Sequence, residues 1–182
     1  IINGFIKYKI DGIQITIDGP KEIHDKRRIL KNNEGSYDKI VQNIKLLQDS
    51  KKIKIDVRIN IDKTNENDIV ALFDDFSNKK LYDVRFDFGH ILNYTDNCKS
   101  IACNCLTRKN FSKKVLEYNK ILRSYNFYRN KRNDLPEPIS IYCGAEKYNA
   151  YNIDENLNLY KCWNDMGDKS KSIGKIGDEN RT

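Results

Sequence analysis

Apolar and polar positions alternate in three short stretches and recur at helical spacing between them. Ile13-Gln14-Ile15-Thr16-Ile17 is β-branched and alternating, and Asp18-Gly19-Pro20 closes it as a turn, so it is expected to be a strand. Residues Ile53 to Ile61 and Val84 to Phe88 repeat the alternation. Between them, Ile40, Val41, Ile44 and Leu47 share one helical face, with Ser36 as the expected N-cap. Asn65, with Asp68 three residues on, is expected to open a second helix carrying Ile69, Leu72, Phe73 and Phe76. Phe111, Val115, Leu116, Leu122 and Tyr125 mark a third helix over about 109–127, and Ile139-Ser140-Ile141-Tyr142 a fourth strand. The stretch between the first strand and Gly35 reads as a charged loop, and Ile1 to Phe5 as a strand or turn.

Strands joined through helices favour right-handed crossovers and a parallel sheet, either doubly wound or part of a (β/α) barrel. Strands of such sheets are usually apolar on both faces, but these are not. Gln14, Thr16 and Asp18, then Asp56, Arg58, Asn60 and Asp62, then Arg85 and Asp87 fall on one polar face. The sharper reading is a barrel or half-barrel with helices outside and a wet lumen lined by Gln14, Thr16, Arg58, Asn60, Arg85 and Asp87, which implies a polar ligand. An α+β fold with one solvated sheet face is the simpler reading. Ligands of open α/β sheets and barrels lie at the carboxyl ends of strands, which would gather Thr16, Asp18, Asn60, Asp62, Asp87 and His90 at one mouth. From Pro136 the pattern changes: Asn149 to Asp154 and Asn158 to Trp163 read as a β-hairpin turning at Glu155-Asn156, with Cys143 upstream and Cys162 at its far end.

Composition narrows the class. The 182 residues suit one domain or one and a half, and nine Gly, three Pro and 10% aromatics exclude a disordered or collagenous chain. The formal charge is +7, but Asp and Glu interleave the lysines, so the basic excess reads as a solvated face rather than a nucleic-acid footprint. No apolar run is long enough to span a bilayer and no signal-peptide layout is present, so a cytoplasmic protein without a membrane partner is expected. Five cysteines without an export signal point to thiols or metal ligands rather than disulfides. Of the two histidines, His24 is expected to fix its loop through a side-chain hydrogen bond rather than do acid-base work. Arg27 and Arg28, just beyond the first strand, suit bidentate binding of a carboxylate or phosphate. Asp87 and Asp165 are further candidate proton acceptors.

Taken together, Ile15-Thr16-Ile17-Asp18-Gly19-Pro20 with His24-Asp25 and Arg28, then Val57-Arg58-Ile59-Asn60-Ile61-Asp62, then Tyr160-Lys161-Cys162-Trp163, resemble a radical S-adenosylmethionine (radical SAM) enzyme with a C-terminal SPASM domain, a group that includes anaerobic sulfatase maturases and ribosomal-peptide maturases. The resemblance implies an α/β fold: the later strands of a radical SAM partial (β/α) barrel over residues 1–135, then the β-hairpin start of a SPASM domain over 136–182. It implies S-adenosylmethionine across the strand ends, with Thr16 facing the ribose, Arg28 pairing with the methionyl carboxylate and Asn60 on the cofactor side. Cys143 and Cys162 match SPASM metal ligands for a [4Fe-4S] cluster, a centre that takes four cysteines. The implied activity is modification of a peptide or protein substrate by a 5′-deoxyadenosyl radical, with an external electron donor.

The chain also departs from the family pattern. The Gly expected five residues before the second SPASM cysteine is Leu157. Cys98, Cys103 and Cys105 give Cys-x4-Cys-x-Cys, and no three cysteines have the Cys-x3-Cys-x2-Cys spacing of the radical-generating cluster, so the chain as given is expected to be inactive on S-adenosylmethionine. Trp163 stands where sulfatase maturases carry an Asp after the second cysteine, which favours peptide maturation over sulfatase maturation. The competing reading is a non-catalytic basic α/β interaction module whose Cys143 and Cys162 hold a structural metal such as zinc, or none.

Overall fold

The computed structural model describes residues 2–92, 104–127, 140 and 143–177. The chain divides into two units, Ile1–Asp134 and Leu135–Thr182. In the first, β1 (Gly12–Thr16), β2 (Lys54–Ile61) and β3 (Val84–His90) form a parallel sheet in the order β1-β2-β3. Thr16 pairs with Arg58, and Arg58 with Asp87, so the polar positions of all three strands fall in line across one face.

The opposite face is the core. Ile55, Val57, Ile59 and Ile61 of β2 are fully buried beneath α3 (Tyr37–Ser50), α4 (Ile69–Asn78) and α5 (Arg108–Leu122). Ile69, Leu72, Phe73 and Phe76 of α4 are likewise at 0% exposure, as their helical spacing requires. Burying each such side chain is worth about 1.5–3 kcal/mol. Phe73 packs on Phe86 of β3 with ring centroids 4.9 Å apart, and Phe86 meets Phe127 edge-on at 5.0 Å. Tyr37 Oη donates to Asp75 at 2.6 Å, tying α3 to α4.

Several expectations are corrected. Residues Ile2–Lys7 form a short helix, α1, not a strand or turn, and the charged loop contains a helix, α2 (Lys21–Arg27). Pro20 pre-sets that helix start, whereas the lysines and acids around it hide the one buried position, His24. Ser36 precedes α3, but its hydroxyl makes no cap bond; Asp25 caps instead. Asn65 does not open α4, which starts at Ile69 behind Asp68, because its amide is used between the strands. Leu116 is exposed, and Tyr118 joins the expected Leu122 as a buried residue of α5. Residue 140 apart, the fourth strand over 139–142 lies outside the described residues, as do Cys98 and Cys103.

In the second unit β4 (Asn152–Ile153) and β5 (Asn158–Tyr160) pair antiparallel as the expected hairpin, shorter than its pattern suggested. A third strand, β6 (Gly174–Lys175), adds to β5. Asp154 organises the turn: its carboxylate accepts from the backbone N–H groups of Asn156 and Asn158, from the Asn158 amide and from Tyr160 Oη.

Candidate functional site

The polar face of the sheet is a ladder of opposite charges. Arg58 Nη1 donates to Asp87 at 2.5 Å, and one step back along the strands Arg85 forks onto both oxygens of Asp56. The signs alternate between partners, so these four residues neutralise one another. Beyond this ladder lie the carboxyl ends of β2 and β3. Gly89 lies there opposite Asn60, and a Cβ on it would collide with Arg58 Nε and fall 2.6 Å from Asn60 Oδ1. The missing side chain makes room for both.

Asp18 is the centre of this end. Its side chain is 3% exposed; Oδ1 accepts the backbone N–H of Asn60 at 3.1 Å and Oδ2 accepts Arg28 Nε at 2.8 Å. Two of the three residues assigned to the cofactor by sequence, Arg28 and Asn60, are thus joined through one carboxylate, and Thr16 stands two residues before it on β1. Arg27 is used differently. Its Nη1 donates to Asp62 at 3.0 Å and to Thr64 Oγ1 at 2.8 Å, and its Nε lies 3.7 Å from Asp18. Burial alone would raise the Asp62 pKa, but the bonds from Arg27 and Thr64 outweigh it and hold the carboxyl below its ordinary value.

Two further residues fix this cluster, Asn65 in a role the sequence did not show and His24 in the loop-fixing role expected of it. Asn65 is fully buried; its amide donates to the carbonyls of Asp18 and Asn60 and its oxygen accepts the N–H of Asp62, closing the ends of β1 and β2 together. Its sequence signal was the Asn65 and Asp68 spacing of a helix start, which says nothing about the reach to β1. His24, also at 0% exposure, accepts the Asp18 N–H on Nδ1, so its proton sits on Nε2 and is donated to Ser36 Oγ at 2.9 Å. Ser36 then donates to the carbonyl of Arg28 at 2.9 Å. Burial lowers the His24 pKa despite Asp18 and Asp25 nearby, which matches a neutral, structural imidazole.

His90 does not join the mouth. Strand parity puts it on the helix side, where it stacks on Phe111 at 4.5 Å and donates from Nε2 to the carbonyl of Leu106. Asp87 and Asp165, the candidate proton acceptors, are paired with Arg58 and Lys171.

In the second unit Cys143 and Cys162 line one cavity of about 250 Å³ with Ala150, Tyr151, Lys161 and Trp163. Lys161 holds its rim: the ammonium donates to the carbonyls of Lys147, Tyr148 and Ala150 and lies 4.8 Å from the Tyr151 ring centroid. Leu157, the residue in the expected glycine position, has φ of 65°, the left-handed conformation that glycine would suit. Among the described residues no three His, Cys, Asp or Glu side chains gather as a metal site. The two cysteines account for two positions of a four-thiolate set.

No family model matches the chain. A cysteine-type anaerobic sulfatase-maturating enzyme of Clostridium novyi (strain NT) is 36% identical over 74 residues, 41% of this chain and 19% of that enzyme. Among solved structures, native anSMEcpe with bound AdoMet and Cp18Cys peptide superposes with a TM-score of 0.62 at 18% identity over 96% of this chain. Histidine-tagged anSMEcpe with bound AdoMet gives 0.60 at 16% over 94%. The chain spans about half the length of these structures (50% and 47%) and about a fifth of the curated relative. The three-stranded parallel sheet fits part of a barrel. No helix among the described residues is long and apolar enough to cross a membrane. In sequence over part of its length and in fold over nearly all of it, the chain is similar to anaerobic sulfatase-maturating enzymes, which bears out the resemblance to radical SAM maturases.

Proposed function

We propose that this chain belongs to a radical SAM enzyme that modifies a peptide or protein substrate, its residues 1–135 contributing barrel strands and 136–182 the start of a SPASM domain. The observation that carries the proposal is the Asp18 carboxylate, which joins Arg28 and Asn60 at the strand ends where the sequence motif assigns the cofactor. The donor set fits S-adenosylmethionine: Arg28 is 42% exposed and held by Nε alone, the Gly89 position is clear of side chain, and Thr16 offers a hydroxyl on the same face. Arg28 would bind the methionyl carboxylate, Thr16 would face the ribose and Asn60 would orient the cofactor. Together with a reduced [4Fe-4S] cluster, S-adenosylmethionine supplies a 5′-deoxyadenosyl radical, with electrons from an external donor.

Cys143 and Cys162 fit two ligands of an auxiliary [4Fe-4S] centre, because both face one cavity whose rim Lys161 braces. The structures with the Cp18Cys and Kp18Cys peptides support a peptide or protein substrate. Trp163, 68% exposed beside Cys162 where an Asp would serve sulfatase maturation, favours a different peptide modification.

The test is to express the protein from its full coding sequence, purify it anaerobically and supply iron, sulfide and reductant. Reductant-dependent 5′-deoxyadenosine is expected, and a protein that takes up no iron and forms none would sink the proposal. Arg28→Ala should weaken S-adenosylmethionine binding about tenfold or more, as loss of a bidentate carboxylate contact does.

A further inference from the structure

We infer that Asp18 is a positioning residue that aims the Arg28 guanidinium at the carboxylate of the ligand, so that the strand end selects an amino-acid-bearing nucleoside over one lacking the carboxylate. The inference rests on the S-adenosylmethionine reading above and deepens it.

A guanidinium recognises a carboxylate through two parallel N–H groups, and whether it does so depends on how its plane is fixed. Asp18 takes only Nε of Arg28, through the single oxygen Oδ2. Among the described residues the Nη groups of Arg28 make no hydrogen bond, and the side chain is 42% exposed, so the outer fork is presented while the inner edge is anchored. Arg27, its neighbour, is spent on Asp62 and Thr64 and is half as exposed, at 21%. The two adjacent arginines therefore divide into one that holds β1 to β2 and one that faces a ligand.

The anchor is itself rigid. Asp18 Oδ1 is held by the Asn60 N–H, its backbone N–H by His24 Nδ1, and its carbonyl by the buried Asn65 amide. The Arg28 backbone is fixed from the other side, its carbonyl by Ser36 and its N–H by the His24 carbonyl. A side chain held at its backbone and at Nε in the free protein loses less freedom when the ligand arrives, which is where affinity from such a contact originates. Asp18 contributes orientation rather than charge, since a second carboxylate beside the ligand's would by itself oppose binding.

The experiment is calorimetric titration of the protein expressed from its full coding sequence with S-adenosylmethionine and with decarboxylated S-adenosylmethionine. The wild type should prefer the former. Asp18→Asn should weaken S-adenosylmethionine roughly tenfold and leave the decarboxylated compound nearly unchanged. Equal weakening of both, or of neither, overturns the positioning role while leaving the cofactor reading intact; a wild type that binds neither overturns both. Should Asp18→Asn not fold, Arg28→Lys keeps the charge but not the fork. It should narrow the preference for the carboxylate, the charge remaining but the fork being lost, and a Lys variant that retains the preference in full overturns the inference.

Discussion

Asp25 Oδ1 accepts the backbone N–H of Tyr37 at 2.8 Å, so the first turn of α3 is capped by a carboxylate from α2, twelve residues upstream, and not by Ser36. Gly35 permits this. A Cβ there would collide with Asp25 Oδ2 and lie 2.7 Å from Oδ1. Asp25→Ala should cost about 1 kcal/mol, the usual value of a lost cap. Gly35→Ala should cost at least as much by pushing the carboxylate away, and the double variant should cost less than the sum, because both changes remove one bond. Urea denaturation of the four proteins checks it; strictly additive costs would show that Gly35 acts elsewhere.

His24 gives the first unit a defined acid sensitivity. Its pKa is lowered by burial in the folded state, whereas unfolded His24 protonates near 6.5. Above that pH both states are neutral and the residue contributes no pH dependence. As pH falls through 6.5 the unfolded chain takes a proton that the folded chain refuses, and stability drops by at most about 1.4 kcal/mol per pH unit until the folded value is reached. Asp62 acts lower: its folded pKa lies below 3.8, so its contribution holds above that pH and is lost as pH falls through the folded value. A decline between pH 6.5 and 5 thus reports His24. Comparing urea midpoints at pH 7.5 and 5.5, His24→Gln should show a smaller decline than the wild type, and equal declines would assign the proton to another group.

Strand and core positions were legible in the chain because period-2 and period-3.6 patterns record burial directly, as Ile55 to Ile61 and Ile69 to Phe76 demonstrate. The pairing of Arg58 with Asp87 was legible only as a polar face, since alternation tells which side a residue occupies but not which partner register gives it. Residues whose role is a long reach were opaque. Asn65 and Ser36 sit where helix caps belong, and each spends its polar group on a segment far away in sequence: Asn65 on Asp18, Ser36 on Arg28. His90 was misplaced at the mouth by counting to the end of a strand without carrying parity through Gly89. Asp18 was named as part of a motif, but its two contacts, which join Arg28 to Asn60, follow from tertiary structure alone.

Gly89 should tolerate no side chain. The added methyl of Gly89→Ala would meet Arg58 and Asn60 on the polar face and turn Arg58 away from Asp87, at about 1–3 kcal/mol for overpacking. Because Asn60 lies at the strand ends, S-adenosylmethionine affinity should fall with stability. Gly35→Ala, by contrast, should lose stability with a smaller loss of affinity. Thermal unfolding with ligand titration separates the two.

Leu157 offers the opposite case, a position where glycine should improve the protein. Its φ of 65° places a γ-branched residue in the left-handed region, at a cost of roughly 1–2 kcal/mol. The conformation is imposed by the turn: the Leu157 N–H donates to the carbonyl of Asp154, its own carbonyl accepts from Ile176, and Asp154 grips Asn156 and Asn158 on either side. Leu157 is 48% exposed, so little packing is lost on its removal. Glycine relieves the strain but is more flexible when unfolded, which returns about 0.5–1 kcal/mol. Leu157→Gly should therefore stabilise the second unit by about 0.5–1 kcal/mol. Trp163, the one tryptophan of the chain, lies in that unit and reports its unfolding in urea. A higher midpoint is expected, and a lower one would mean that the leucine side chain contributes packing to the hairpin that outweighs its strained backbone.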